Sequence, residues 1–196
     1  MKKLVFSLAL LPVLFFSCSD DDNDSLDDTM VEVEEEVITD VEVTLVNDIT
    51  DEEVVLVFED ADGIGVGENG MVVSGGTLDA NSTYTGSFLI TNALEDEDIT
   101  EEIEEFQDEH QFFFISDDDL ASVESEYNDM DSNGYPVGLD FTITTTDAAT
   151  GILRIVLRHE PNKSAEGVSD GDITNEDSGS SDFDIDFPIT VEESMM

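Results

Sequence analysis

The chain has 196 residues, with 51 Asp and Glu against five Lys and Arg, and its formal net charge at pH 7 is −46. A surface this acidic repels the phosphates of nucleic acids, which excludes a nucleic-acid-binding function. It favours hard divalent cations that bind oxygen ligands, such as Ca²⁺. Adaptation to high salt, which screens surface charge, is the second explanation for the composition.

The first 17 residues have the pattern of a lipoprotein signal peptide. Lys2 and Lys3 precede an apolar run at 4–16 that is short for a membrane span, and Ser17 directly precedes Cys18. Cys18 is the single cysteine of the sequence, so no intramolecular disulfide competes for it. We therefore expect cleavage after residue 17 and lipidation of Cys18. An ordinary cleaved signal peptide with a chance cysteine, or an uncleaved anchor, is the alternative.

An acidic segment follows the cysteine. Residues 19–36 hold ten carboxylates and no basic residue, and self-repulsion predicts a disordered tether over 18–39. A serine and an acidic run at this place resemble the signal that sends lipoproteins of the Bacteroidetes to the outer face of the outer membrane. The resemblance implies a lipid-anchored protein exposed at the cell surface, with the periplasm-facing side of that membrane as the alternative.

From residue 40 onwards the pattern is typical of short strands separated by Gly, Asn and Asp turns. About eight strands and no long helical period predict an all-β domain over 40–196, a single antiparallel two-sheet β-sandwich of immunoglobulin-like type. Segment 110–116 is apolar on both faces, which predicts a central strand covered on both sides. The predicted strands are 40–47, 52–60, 82–92, 110–116, 122–129, 137–146, 151–160 and 182–193.

The sequence also predicts a helix, a hairpin and an unusually long connection within this domain. At most one short helix is predicted, near 98–107, with Asp98 as its N-cap. The strands 137–146 and 151–159 are predicted to form a hairpin. The connection 161–181 is unusually long for a compact domain, which indicates a segment that is either functional or disordered.

The stretch "DMDSNGYPVGLD" at 129–140 matches most of a calcium-binding loop. Asp129, Asp131 and Asn133 occupy positions 1, 3 and 5 of such a loop, Gly134 provides the turn at position 6, and Asp140 falls at position 12. The flanking strands exclude an EF-hand, and a polar β-turn is the alternative because Asn-Gly is a strong turn signal. The expectation is a calcium site of the weak extracellular type.

A second, shorter candidate for calcium lies at "EDADG", residues 59–63. Asp60 and Asp62 supply two carboxylates before Gly63, but the ligand list is incomplete. Both candidates predict that calcium raises the melting temperature.

The two histidines of the sequence lie at the ends of predicted strands, each beside a glutamate. His110 shares a strand face with Phe112 and Phe114, and His159 shares one with Leu157. If the two strands pair, an inward site with two histidines and two carboxylates could bind zinc, copper or iron. The alternative is that each histidine is hydrogen-bonded locally and has a structural role.

Nucleophilic catalysis finds no support in the sequence. The chain has no spare cysteine and no G-x-S-x-G motif, and the many carboxylates neither support nor exclude glycosidase chemistry. We therefore expect a protein that is not an enzyme.

The segments "DEHQFFF", "DMDSNGYPVGLDFTITT" and, most specifically, 157–191 resemble a group of uncharacterised lipoproteins of marine Flavobacteria. Members are sometimes labelled as type 1 periplasmic-binding-fold proteins. That fold requires many βαβ units, whereas the strand pattern here predicts an all-β domain. The resemblance implies a location at the outer membrane and no established activity.

Two functions remain open from the sequence. The first is a non-catalytic binding or accessory module at the cell surface, stabilised by Ca²⁺ and serving an outer-membrane uptake or surface complex. The second is a carrier of zinc, copper or iron that uses His110 and His159 as ligands.

Overall fold

The computed structural model describes residues 37–63 and 71–193, which form two β-sheets packed face to face. The first sheet contains β1 (Asp40–Asn47), β2 (Glu53–Glu59), β3 (Val72–Ser74), β5 (Thr83–Asn92), β6 (Glu97–Asp98), β8 (Val123–Tyr127) and β9 (Phe141–Thr145). The second contains β4 (Gly76–Asp79), β7 (His110–Ser116), β10 (Ala149–His159) and β11 (Ser180–Glu192). One α-helix, α1 (Ile99–Glu105), and two short 3-10 helices (Asp118–Leu120 and Val168–Asp170) lie between strands.

The strand order is β3-β2-β1-β5-β9-β8 in the first sheet, with β6 paired to β5, and β4-β11-β10-β7 in the second. Neighbouring strands are antiparallel except β4 and β11, which run parallel. The predicted all-β sandwich is confirmed. The described residues form 11 strands rather than about eight because β3, β4 and β6, with three, four and two residues, are too short to show a periodicity.

The core lies between the sheets and is built by alternation along each strand. In β5 and β11 nearly every second residue is buried and the residues between face solvent. Aromatic rings join the two layers: Phe88 of β5 stacks on Phe112 of β7 with ring centroids 4.2 Å apart, and Phe141 of β9 lies 4.5 Å from Phe114 of β7. Each such ring stabilises the fold by roughly 1.5–3 kcal/mol through burial.

The predicted helix is confirmed, and its cap is the predicted one. The Asp98 carboxylate accepts hydrogen bonds from the backbone N–H groups of Thr100 and Glu101, at 3.0 and 3.3 Å. Ile99 and Ile103 point into the core. Phe106, the C-cap residue, is 41% exposed, so its side chain does not join them.

The predicted hairpin between 137–146 and 151–159 is wrong. β9 pairs with β5 and β8 in the first sheet, whereas β10 pairs with β7 and β11 in the second. Each strand has one apolar face, and two such strands can pack face to face as well as edge to edge. The short connection between them therefore crosses from one sheet to the other.

Strand β7 is covered on both faces, as predicted, but it is not central. It forms one edge of the second sheet, and its first four residues, His110 to Phe113, are buried. One backbone group and one side chain from outside this sheet cover the edge: the N–H of Phe112 donates to the carbonyl of Val137 at 2.7 Å, and the Tyr127 hydroxyl donates to the Phe112 carbonyl at 2.7 Å. An edge strand satisfied in this way needs no further strand beside it.

The long connection 161–181 packs on the outer face of the second sheet. Val168 is fully buried against Phe113 of β7 and Val156 of β10, and together they form a small second core. Arg154, on the same face as Val156 but outside this cover, pairs with Asp184 of β11. The segment is therefore a structural cover, held by apolar contacts that the sequence of β10 alone did not reveal.

The N-terminal side of the domain begins before residue 40. Ile38 is buried in the core, and Thr39 donates its backbone N–H to the Thr91 carbonyl at 3.0 Å, although both fall within the predicted tether. The signal peptide, Cys18 and most of the tether lie outside the described residues. Within the described part of the chain, no helix is long and apolar enough to cross a membrane.

Candidate metal centre

His110 and His159 face each other across two paired strands. β7 and β10 are antiparallel, and these two residues are partners at the end of the ladder. Their rings meet edge to face, with centroids 4.9 Å apart and an interplanar angle of 83°. The sequence-based condition for a two-histidine site, that the strands pair, is thus met.

A β-bulge adds a carboxylate to the pair. In the β10–β11 ladder Leu157 pairs with Phe183 but Arg158 pairs with Ser181, so Asp182 is the extra residue on β11. A bulge turns the extra side chain away from its regular alternation. The Asp182 side chain is 3% exposed, whereas Asp184 on the same strand is 39% exposed. The bulge therefore directs this one carboxylate inward, toward His159.

The three side chains place their ligand atoms close together. One nitrogen each from His110 and His159 and one Asp182 oxygen lie within 4.8 Å of one another, the one such group of three His, Cys, Asp or Glu ligands in residues 37–63 and 71–193. Nδ1 of His159 is 3.9 Å from Oδ2 of Asp182. Ligand atoms around tetrahedral zinc lie roughly 3.3 Å apart for bonds of ~2.0–2.1 Å, so a small inward adjustment brings them to bonding distance.

A backbone carbonyl orients the deeper histidine. His110 is 1% exposed, and its Nδ1 lies 3.0 Å from the carbonyl oxygen of Phe106, the C-cap of α1. A carbonyl only accepts hydrogen bonds, so Nδ1 carries the proton and the lone pair of the neutral ring lies on Nε2. Metal-binding histidines commonly donate their second N–H to such a carbonyl, which fixes tautomer and ring orientation.

The two glutamates beside the histidines take no part. Glu109 and Glu160 are exposed, and the backbone N–H of Glu160 donates to the carbonyl of Glu109 at 2.6 Å. The sequence placed the carboxylate on the wrong residues because regular alternation in "DFDIDF" assigns Asp182 to the solvent face, together with Asp184 and Asp186. A register shift has no signal in the sequence of one strand.

Known proteins add no constraint on this centre. No protein-family model matches the chain, and no curated protein and no solved structure matches it. The function is therefore argued from the geometry of the site.

The predicted calcium loop uses its first carboxylate to hold its own backbone. Asp129 accepts three backbone N–H groups, from Gly138 at 2.6 Å, Leu139 at 2.9 Å and Asp140 at 3.2 Å. Asn133 and Asp140 are exposed, and Gly134 has the positive φ of 86° that the turn requires. The acids of this loop thus close a turn. Among the described residues, no three carboxylate or histidine ligands of this loop lie within 4.8 Å of one another.

The second acid of that loop, Asp131, forms a buried ion pair that the sequence did not suggest. Nζ of Lys163 lies 3.0 Å from Oδ2 of Asp131, with the two side chains 3% and 1% exposed. Oδ1 of Asp131 accepts the N–H groups of Asn133 and Tyr135, at 2.8 and 3.0 Å, and Nζ also donates to the Gln107 carbonyl at 2.7 Å. The pair joins the 129–140 loop to the 161–181 connection.

The two partners of this pair respond differently to burial. Burial alone raises the pKa of Asp131, but the N–H of Tyr135, the Lys163 ammonium and the N–H of Asn133 outweigh it, and the net pKa is lowered. Burial lowers the pKa of Lys163, and the hydrogen bond and charge of Asp131 offset this only in part. The charged form of Asp131 is stabilised more than the charged form of Lys163 because two backbone N–H donors also bind the carboxylate.

Asp60 and Asp62, the second candidate for calcium, form a close carboxyl pair. Asp60 is 3% exposed, and Oδ1 of each carboxyl is buried without a hydrogen-bond partner. The hydrogen bond that protonated Asp60 donates to the Asp62 carboxylate, followed by burial, raises the pKa of Asp60 above its usual range. Two acids in such contact favour sharing one proton over carrying two charges.

Proposed function

We propose that this chain is a non-catalytic metal-binding protein that holds one divalent transition-metal ion between His110, His159 and Asp182. The observation that supports the proposal is the convergence of two imidazoles and one inward carboxylate, with ligand atoms within 4.8 Å of one another. Two nitrogen ligands and one oxygen ligand suit zinc, copper or iron(II). Calcium, which takes six to eight oxygen ligands, does not suit this set.

The exposure of the three ligands supports binding rather than catalysis. His110 and the Asp182 side chain are almost completely buried, and only the His159 side chain, 15% exposed, reaches solvent. Three protein ligands leave a fourth position for water or for a donor from another molecule. The near-complete burial of two of the three ligands fits the storage or transfer of a metal ion better than chemistry on a large substrate.

The location is proposed from the leader. A lipid on Cys18 and the acidic segment 19–36 would tether the domain to the outer membrane, facing the cell surface. We propose that the domain serves an outer-membrane uptake or surface complex there, and that its negative charge raises the local concentration of cations near the centre.

Zinc titration by calorimetry, with excess Mg²⁺ to occupy surface carboxylates, tests the proposal. We expect one high-affinity zinc ion per chain, and Cu²⁺ electron paramagnetic resonance should show coupling to two imidazole nitrogens. Replacing one ligand, in His110→Gln, His159→Gln or Asp182→Asn, should weaken binding by at least about 100-fold, since even outer-shell partners contribute 10–100-fold.

Asp184→Asn is the matched control for Asp182→Asn. The two residues lie on the same strand, but Asp184 is on the outer face, paired with Arg154. Its replacement should leave zinc affinity unchanged. Equal zinc binding by wild type and all three ligand variants would refute the proposed function.

A further inference from the structure

Two of the three ligands stand at the two ends of the long connection. His159 is the last residue of β10 and Asp182 lies near the start of β11, so they enclose residues 160–181, named here the 160–181 loop. The third ligand, His110, belongs to β7 and lies outside the loop. A metal ion held by all three would tie both ends of the loop to a separate strand.

The ladder between β10 and β11 is interrupted at the stem of this loop. The regular pairing ends at Leu157 and Phe183, and beyond the bulge only two pairs remain, Arg158 with Ser181 and His159 with Ser180. Bulges disrupt ladder hydrogen bonding locally. Asp182 is itself the bulged residue, so a metal ion would bridge the strands at the point where their own pairing is interrupted.

The rest of the loop contacts the domain mainly around two of its residues. Val168 packs on Phe113 and Val156, and its carbonyl accepts a hydrogen bond from Gln111 at 2.8 Å. Lys163 pairs with Asp131, and most backbone hydrogen bonds stay within the loop. Segments with few buried apolar contacts open at lower free energy than the sheets beneath them. Opening would expose Phe113 and Val156, which are now fully buried.

We propose that the metal centre acts as a clasp that controls the opening of the 160–181 loop, and hence access to the apolar surface that it covers. The inference rests on the proposed function, because it requires a metal ion on these ligands. Opening of the stem separates His159 from Asp182 and breaks the ligand set. A metal ion that binds only the closed stem therefore shifts the equilibrium toward the closed state.

Hydrogen–deuterium exchange of the full chain, with and without zinc, measures this effect directly. The informative amides are those whose hydrogen bonds lie inside the loop, including Asn162, Ala165 and Ser178. At a free zinc concentration ~100 times the Kd, exchange through stem opening should slow by up to about 100-fold. Peptides from β1, at the centre of the first sheet, serve as the internal reference and should change little.

Asp182→Asn and Asp184→Asn separate the clasp from general effects of zinc. Zinc should give no loop protection in Asp182→Asn and full protection in Asp184→Asn. Stoichiometric zinc binding without loop protection, or with equal protection of the loop and β1, would overturn the clasp and leave the proposed function standing. Absence of stoichiometric binding would overturn both.

Discussion

The buried ion pair between Lys163 and Asp131 should be the strongest single interaction between the 129–140 loop and the 161–181 connection. We consider the replacement Lys163→Met, which keeps the apolar length of the side chain and removes its charge. Both side chains are at most 3% exposed, so water cannot take over the lost interaction. The change leaves the Asp131 carboxylate charged in a dry environment.

The magnitude follows from what remains around each partner. Removing one member of a buried ion pair costs about 3–5 kcal/mol because the other charge is left uncompensated. Asp131 keeps two backbone N–H donors on Oδ1, which places the cost at the lower end of that range. The Gln107 carbonyl also loses its donor, at a cost of about 1 kcal/mol. We expect a loss of about 3–4 kcal/mol in the free energy of unfolding.

Urea denaturation of wild type and variants measures this loss. The control is Arg154→Met, whose partner Asp184 is on the surface, with the two side chains 42% and 39% exposed. That replacement should cost less than about 1 kcal/mol. The double variant Lys163→Met/Asp131→Asn should be more stable than Lys163→Met alone, since no buried charge remains. Equal losses for Lys163→Met and Arg154→Met would show that burial does not decide the cost of losing an ion pair in this protein.

The pH dependence supplies a second test of the same pair. The pKa of Asp131 is lowered in the folded state, so its contribution is fully present above the unfolded pKa of 3.8 and is lost as pH falls through the folded value. The difference in stability between wild type and Asp131→Asn should therefore be constant above about pH 5 and shrink below pH 3.8. A difference that persists undiminished at pH 2 would contradict the assignment.

Three further predictions concern other sites. Millimolar Ca²⁺ should raise the melting temperature no more than equal Mg²⁺, because the Asp129 carboxylate is occupied by backbone N–H groups; a calcium-specific rise abolished by Asp129→Asn would restore the calcium loop. Asp62 raises the pKa of Asp60 in the folded state, so the free energy of unfolding falls as pH rises from the unfolded pKa of 3.8 through the folded pKa. Asp60→Asn should therefore have a higher melting temperature than wild type at pH 7. Gly86→Ala should cost about 1–3 kcal/mol in urea denaturation, since its Cβ would lie 2.2 Å from a ring carbon of Phe141, and a neutral result would show that the ring moves freely.

Much of the fold could be predicted because it depends on alternation, which is local. The strand at 40–47 was predicted with its observed bounds, and 82–92 and 110–116 differ from β5 and β7 by at most one residue. Pairing could not be read in the same way. The predicted hairpin of β9 and β10 was wrong because a strand with one apolar face can bury that face in either of two positions. It can lie beside the preceding strand in the same sheet, or it can lie in the opposite sheet.

Two of the three side chains of the candidate metal centre could be placed from the sequence, for the same reason. His110 and His159 each continue the inward face of an alternating strand, so the sequence could place both rings toward the core. Asp182 depends on a bulge between β10 and β11, and nothing in either strand alone specifies it. Long-range register, rather than residue type, decided which carboxylate joins the histidines.

The acidic composition decides how much weight a spacing match among carboxylates carries. With 51 Asp and Glu in 196 residues, a spacing match among acids arises easily, and in solvent each carboxylate prefers water. Desolvation is what distinguishes an acid with a role: Asp131 is buried with a lysine, Asp60 beside a second carboxyl, and Asp182 beside two imidazoles. Only the last of these three sets places nitrogen ligands beside a buried carboxyl group, the combination that zinc, copper and iron(II) favour. Where the chain excludes solvent thus decides which of its many carboxyl groups are candidates for a site.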